Sequence, residues 1–239
     1  MKIGVLGTGV VGRTIAGKVA ELGQATVVGT RDPDALRARA EPDFMGNPPF
    51  SQWHAQHQDV GVAVFADAAA HGEVVVNATG GMASLDALRA AREENLKGKV
   101  VVDIANPLDF SGGMPPSLSV CNTDSLGEQI QQAFPEARVV KTLNTVTAAV
   151  MVDPGLVAGG QHAIFVGGND ADAKSEVTEI LQEWFGWKQV IDLGDITAAR
   201  AMEMYLPLWL RLFGVLGNPM FNVAVVADPP YAGSVRTGS

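Results

Sequence analysis

Short, nearly all-apolar runs recur along the chain and alternate with stretches whose apolar residues fall every three or four positions. Lys2 to Leu6 is the first such run and ends in glycine. Val11, Ile15, Val19 and Leu22 then line one face of a predicted helix, which Gly23 stops. Ala25 to Gly29 restarts a β-branched strand, so a βαβ unit closes within about 30 residues. Further runs at Val60–Phe65, Val74–Ala78, Val100–Ile104 and Val139–Leu143 lack the alternation of half-exposed strands, which predicts strands buried on both faces. Helical spacing fills Ala66–His71, Ser84–Asn95 and Asp124–Phe134 between them. Strand and helix in alternation predict an α/β fold, a Rossmann doubly wound parallel sheet.

The pattern changes after Asn144. A strand at Ala163–Val166, a helix at Asp170–Phe185, a short strand at Gln189–Ile191 and a long apolar helix from about Ile196 to Leu216 predict a smaller, mainly helical C-terminal lobe. The expected division is a nucleotide-binding domain over residues 1–146, a substrate or dimerisation lobe over 147–226 and a flexible tail over 227–239, rich in Pro, Gly and Ser. Residues Pro42 to Asp59 have no clear period and read as a long surface loop with room for a short helix, placed to close over a ligand.

Composition narrows the partners. Hydrophobic residues make up 47% of 239 and charged residues 18%, as in a chain with a real core. Lys and Arg number 17 against 26 Asp and Glu, a net charge of −9 without a basic cluster, so nucleic acid is an unsuitable partner. The lone Cys121 forms no intrachain disulfide and reads as a small buried residue of a cytoplasmic protein. No apolar stretch has the length of a membrane span, and the start of the chain does not read as a secretory leader.

The chemistry lies in a glycine loop. Gly7-Thr8-Gly9-Val10-Val11-Gly12 follows a strand and opens a helix, the context that gives G-x-G-x-x-G its meaning: a tight turn, close backbone approach to a pyrophosphate, and close helix packing. The nucleotide's second determinant sits where the second strand ends, at Gly29-Thr30-Arg31-Asp32. Thr30 and Arg31 suit a 2′-phosphate and favour NADP. Asp32 is the competing candidate, as an acidic ribose reader or as the start of a turn at Pro33. The other strand ends bring Ala78-Thr79-Gly80, Ala105-Asn106-Pro107 and Asn144 toward the same rim, as expected where a nicotinamide and a second ring meet backbone; helix caps and Asx turns use the same residue types. His54 and His57 lack a companion ligand set and read as solvated loop residues rather than a metal site. No nucleophile elbow, P-loop or acid/base dyad is evident, so no catalytic side chain is assigned. Hydride transfer between two bound rings depends on positioning more than on proton chemistry.

On these residues the chain resembles the coenzyme F-420 (F420)-dependent NADP oxidoreductase family, most clearly at Ile3-Gly4-Val5-Leu6-Gly7-Thr8-Gly9 and Val28-Gly29-Thr30-Arg31. At Lys141-Thr142-Leu143-Asn144-Thr145 it is also similar to the cytosolic reductase domain of membrane-bound metalloreductases. The resemblance implies a cytoplasmic NADP-dependent oxidoreductase acting on a small-molecule redox substrate, the deazaflavin coenzyme F-420. Arg200 and Arg211 would then be candidates for its anionic tail, and the apolar helix carrying Trp209 and Phe213 a candidate homodimer face. A flavin or quinone acceptor is the alternative enzyme, and a non-catalytic NADP(H)-binding redox sensor the alternative of another class.

Overall fold

The computed structural model describes residues 1–42 and 46–228. Eight strands form one sheet in the order β10-β9-β8-β5-β4-β1-β2-β3. They are β1 (Lys2–Leu6), β2 (Ala25–Thr30), β3 (Gly61–Val64), β4 (Val74–Asn77), β5 (Val100–Asp103), β8 (Arg138–Thr142), β9 (Ala163–Gly167) and β10 (Gln189–Asp192). A separate antiparallel ribbon pairs β6 (Leu108–Asp109) with β7 (Ser117–Leu118). The helices are α1 (Val10–Glu21), α2 (Pro33–Ala38), α3 (Phe50–His54), α4 (Phe65–His71), α5 (Gly81–Ala91), α6 (Glu93–Leu96), α7 (Leu126–Ala133), α8 (Ala148–Val152), α9 (Ala171–Glu179), α10 (Ala199–Met204) and α11 (Leu206–Leu216).

Valine runs specify the sheet because both its faces are covered. Val74 and Val76 pack into one apolar cluster with Ile15 and Val19 of α1 and Val177 of α9. Val75 turns to the other, with Phe65 of α4, Leu88 of α5 and Ile130 of α7. Burial of each such side chain stabilises the fold by roughly 1.5–3 kcal/mol, so a one-residue register slip would exchange two filled faces at once. The strand order reverses at β1, which pairs with β2 on one side and β4 on the other. Where the order reverses, the carboxyl ends of the strands diverge and leave a crevice.

Several elements differ from the sequence expectation. The strands after residue 146 join the main sheet, β9 running antiparallel to β8 and β10 parallel to β9. The turn expected at Asp32-Pro33-Asp34 opens α2, with proline at the first helical position, where a missing N–H costs nothing. The helix expected over 170–185 changes to a π-helical turn at Ile180–Trp184. The long helix from Ile196 is broken into a 3₁₀ turn, α10 and α11, with the break at Tyr205. Pro207 explains the break, because it has no N–H to donate to the Glu203 carbonyl one turn earlier. Cys121 is exposed rather than buried. The loop over 42–59 holds α3, anchored by buried Phe50; its residues 43–45, and the tail from 229 onward, lie outside the described residues. His54 and His57 are half-buried there, bonding the carbonyls of Val60 and Trp53, and His57 stacks on Trp53.

Candidate active site

The glycine loop joins β1 to α1 across the mouth of the crevice. Gly7 has φ +119°, and a Cβ there would lie 2.4 Å from the Ala78 carbonyl oxygen. A Cβ on Gly12 would lie 2.2 Å from the Gly7 carbonyl oxygen. Neither position admits a side chain. A Cβ on Gly9, by contrast, meets nothing within 4 Å, so the loop presents an open backbone surface. Gly9 is the N-cap of α1 and offers no capping side chain. The N–H groups of the first turn are therefore left for an anion, reinforced by the helix dipole. This cradle fits a pyrophosphate.

Two cavities open on either side of the loop. The first, of about 590 Å³, lies over β2 and is lined by Gly7, Thr8, Thr30, Arg31, Arg39 and Asp86 among others. Asp32 also borders it, but its Oδ1 accepts from the N–H groups of Asp34 and Ala35 at 3.0 and 2.9 Å. With Oδ1 committed to capping α2, Asp32 has only Oδ2 left for a ribose hydroxyl. The two guanidinium groups and the Thr30 hydroxyl are the chemistry of a 2′-phosphate site.

The second cavity, of about 690 Å³, lies over the ends of β4, β5 and β8. Val10, Val11, Ile104, Ala105, Asn106, Asn144, Leu206 and Trp209 contribute to its wall, and no lining residue is charged. The two cavities share Ala78, Thr79, Gly80 and Ala83. Asn106 Nδ2 donates to the Asn144 carbonyl and Asn144 Nδ2 to Asn106 Oδ1, each at 2.9 Å, while Asn144 Nδ2 also donates to the Met202 carbonyl at 3.0 Å. These bonds orient the Asn144 amide and leave its Oδ1 buried without a partner among the described residues; Trp209 Nε1 is in the same condition. Each such orphan costs about 1–3 kcal/mol unless something in the cleft supplies the missing bond. A planar ring with a polar edge fits that wall. Leu143 enters this turn with φ +59°, unusual for a leucine. The left-handed conformation costs about 1–2 kcal/mol, and burial of the leucine side chain, about 1.5–3 kcal/mol, offsets it.

Beneath the second cavity a polar row crosses the sheet. Asn77, Asp103 and Lys141 are register partners on adjacent strands. Asn77 Oδ1 accepts from the Thr79 hydroxyl at 2.6 Å, and Asn77 Nδ2 donates to Asp103 Oδ1 at 2.8 Å. Lys141 Nζ donates to Asp103 Oδ2 at 2.8 Å, to Glu203 Oε1 at 2.9 Å and to the Ala105 carbonyl. Burial by itself pushes the Lys141 ammonium down, but the two carboxylates override it and hold it above the ordinary lysine value. Burial pushes the Glu203 carboxyl up, only partly offset by Lys141. The carboxylates thus set the direction at Lys141, and burial sets it at Glu203.

The structure brings together most of the residues singled out from sequence. Gly7, Thr8, Gly9, Thr30 and Arg31 border the first cavity, Val10, Val11, Ala105, Asn106 and Asn144 the second, and Ala78, Thr79 and Gly80 both. Gly12 and Pro107 border neither; Gly12 packs beneath the loop, and Pro107 accepts from the N–H of Ser119. Arg200 and Arg211 do not reach the second cavity, and Arg200 is engaged by Glu128. Arg39, Asp103, Glu203 and Leu206 were not singled out, and Lys141 stood only as the first residue of a resembling segment, without a role. A signal existed for two of them: the runs Val100–Val102 and Val139–Val140 each end in a charge, Asp103 and Lys141.

With this geometry in view, comparison with known proteins is informative. Residues 2–107 match the family described as NADP oxidoreductase coenzyme F420-dependent. The F420-dependent NADP reductase of Methanocaldococcus jannaschii is 33% identical over 147 residues, 61% of this chain and 64% of that protein. Metalloreductase STEAP3 of Rattus norvegicus is 27% identical over 219 residues, 87% of this chain and 38% of that protein. This chain thus spans somewhat less than two thirds of the first relative and a smaller part of the second. A crystal structure from Arthrobacter sp. FB24, provisionally named an F420-dependent NADP-reductase, is 61% identical, with a TM-score of 0.91 over 95% of this chain and 100% of that one. No described helix is long and apolar enough to cross a membrane. Likeness of that extent, over the whole of the Arthrobacter chain, settles the kinship: the protein belongs to the coenzyme F420-dependent NADP oxidoreductase family.

Proposed function

We propose that the protein transfers hydride between NADP(H), seated across the glycine loop with its 2′-phosphate at Thr30, Arg31 and Arg39, and the deazaflavin ring of coenzyme F-420 in the second cavity. The observation that carries this reading is the pair of adjoining cavities, one bordered by the Arg31 and Arg39 guanidinium groups and one lined by uncharged residues, sharing the floor at Ala78–Gly80. Bound together, the two cofactors supply hydride donor and acceptor. The chain's own part is to hold both rings on one floor, to offer Asn144 Oδ1 and Trp209 Nε1 to polar ring edges, and to exclude water with Val10, Val11, Leu206 and Trp209. The one proton that completes reduction of the acceptor ring would come from solvent at the mouth of the second cavity, since no titratable side chain is among its described lining residues. The names of the M. jannaschii and Arthrobacter relatives support the choice of acceptor. With no cation in the second wall, the acceptor's anionic tail would extend outside it.

NADPH oxidation measured with purified coenzyme F-420, and separately with free flavin and with a quinone, tests the reading. Turnover with the deazaflavin supports it. Turnover with flavin or quinone alone replaces the acceptor, and absence of turnover with all three leaves a nucleotide-binding sensor. We further propose a homodimer formed through α11, whose Leu208, Val215 and Leu216 expose apolar surface. A monomeric mass in sedimentation equilibrium would overturn that assembly.

A further inference from the structure

Three buried charges lie where stability alone gives no reason for them. Lys141 and Asp103 are fully buried and Glu203 is 1% exposed. Desolvating such groups costs about as much as their mutual attraction returns, and apolar residues of similar volume are often as stabilising or more so. The cluster makes no contact with the apolar sheet faces that a hydrophobic triad could not make. Its bonds are instead directed at the parts of the second cavity.

Ala105, on the wall of that cavity, is held at both ends of its backbone: its N–H donates to Asp103 Oδ1 at 3.2 Å, and its carbonyl accepts from Lys141 Nζ. Through Asn77, the same Asp103 carboxylate fixes Thr79, on the floor common to both cavities. Glu203 carries the cluster into α10. Its carboxylate also accepts from the N–H groups of Leu126 and Gly127 at 2.9 and 3.0 Å, the free donors of the first turn of α7. Three residues beyond Glu203, Leu206 begins the α11 wall, and Trp209 follows one turn later. The neighbouring Met202 carbonyl accepts from Asn144. Floor, side wall and far wall of the second cavity therefore converge on one ammonium, whereas Thr30, Arg31 and Arg39 of the first cavity have no bond to it.

We propose that Asp103, Lys141 and Glu203 are positioning residues for the nicotinamide and acceptor end of the cleft: they tie the Ala105 loop and the α10–α11 wall to one point and set the width of the second cavity, while leaving the 2′-phosphate end independent. The inference rests on the proposed function, in which the first cavity holds the 2′-phosphate end of the dinucleotide and the second receives its nicotinamide beside the acceptor ring.

Two probes separate those ends. Adenosine 2′,5′-bisphosphate reaches only the first cavity and the loop; NADPH also places its nicotinamide in the second. The double substitution Lys141→Met with Glu203→Gln keeps the cluster's net charge at −1 and leaves the Asp103 carboxylate hydrogen-bonded by Asn77 Nδ2 and the Ala105 N–H. In that variant NADPH affinity falls about tenfold or more, and the shift of NADPH fluorescence on binding is reduced, while affinity for adenosine 2′,5′-bisphosphate stays within about twofold. Equal losses for both probes, or no loss for either, overturn the positioning role. If the double variant does not fold, the single substitution Glu203→Gln is read by the same pair of titrations and the same fluorescence. Failure of the wild-type protein to bind adenosine 2′,5′-bisphosphate overturns instead the reading of the first cavity.

Discussion

The two cavities use different means to recognise a ligand. In the first, the side chains that distinguish it are charged or hydroxylic: Thr30, Arg31 and Arg39 surround the end of β2, while of the two carboxylates that border it Asp32 caps α2 and Asp86 pairs with Arg89. In the second no side chain is charged, and recognition rests on shape, two unpartnered polar atoms and a wall whose charges lie one layer beneath the surface. A charged end gives tight, selective anchoring that tolerates some looseness. An uncharged end has little but geometry to work with, so its walls need bracing from behind.

That contrast can be broken at several points. Gly12→Ala places a methyl group 2.2 Å from the Gly7 carbonyl oxygen, in the loop that borders both cavities; NADPH affinity measured by calorimetry should fall at least about 100-fold, an effect of the size expected when phosphate contacts are displaced. Retained affinity would mean the loop is not the phosphate cradle. Arg31→Glu should act at the charged end alone. Loss of a charge-assisted hydrogen bond worth about 1.5–3 kcal/mol raises the Michaelis constant for NADPH roughly 10- to 100-fold, with NADH little affected, and equal changes for both would remove the 2′-phosphate assignment.

Glu203→Gln examines the buried layer through pH. Because burial holds the Glu203 carboxyl above its ordinary value, facing Lys141 and Asp103, its stabilising contribution is complete below the unfolded-state value and is lost as pH rises through the folded-state one. The melting temperature of the wild type relative to the variant should therefore decline as pH rises through that range. Lys141, shifted up from an already basic value, adds nothing there. A constant difference would show that Glu203 titrates normally. The smallest effect is expected from trimming the acceptor: a deazaflavin without its anionic tail should keep its Michaelis constant within about threefold, the size of an exposed ionic contact. A much larger rise would reveal a cation that serves the second cavity.

The same contrast explains what could be read in the chain before its fold was known. The sheet, the glycine loop and the Thr30–Arg31 pair are local: each is written within a few consecutive residues, where periodicity and turn chemistry act. Asn77, Asp103 and Lys141 look unremarkable one at a time, as polar ends of valine runs, and acquire meaning only when parallel pairing sets them in one row. Glu203 reaches that row from 62 residues beyond Lys141, across β9, α9 and β10. Arg39 was hidden for a different reason: α2, which brings it to the first cavity, looks like a simple turn until Asp32 is seen to cap a helix. Arg200 misled because a guanidinium on an apolar helix invites an anion, while an internal carboxylate, Glu128, already satisfies it.

The floor at Ala78–Gly80, common to both cavities, carries a kinetic consequence. If NADP(H) and the acceptor rest on it side by side, as proposed, both are present when hydride moves and neither has to leave before the other arrives. Initial-rate data for NADPH at several acceptor concentrations should then give double-reciprocal lines that cross, the signature of a ternary complex, rather than the parallel set of an enzyme that stores the hydride between visits.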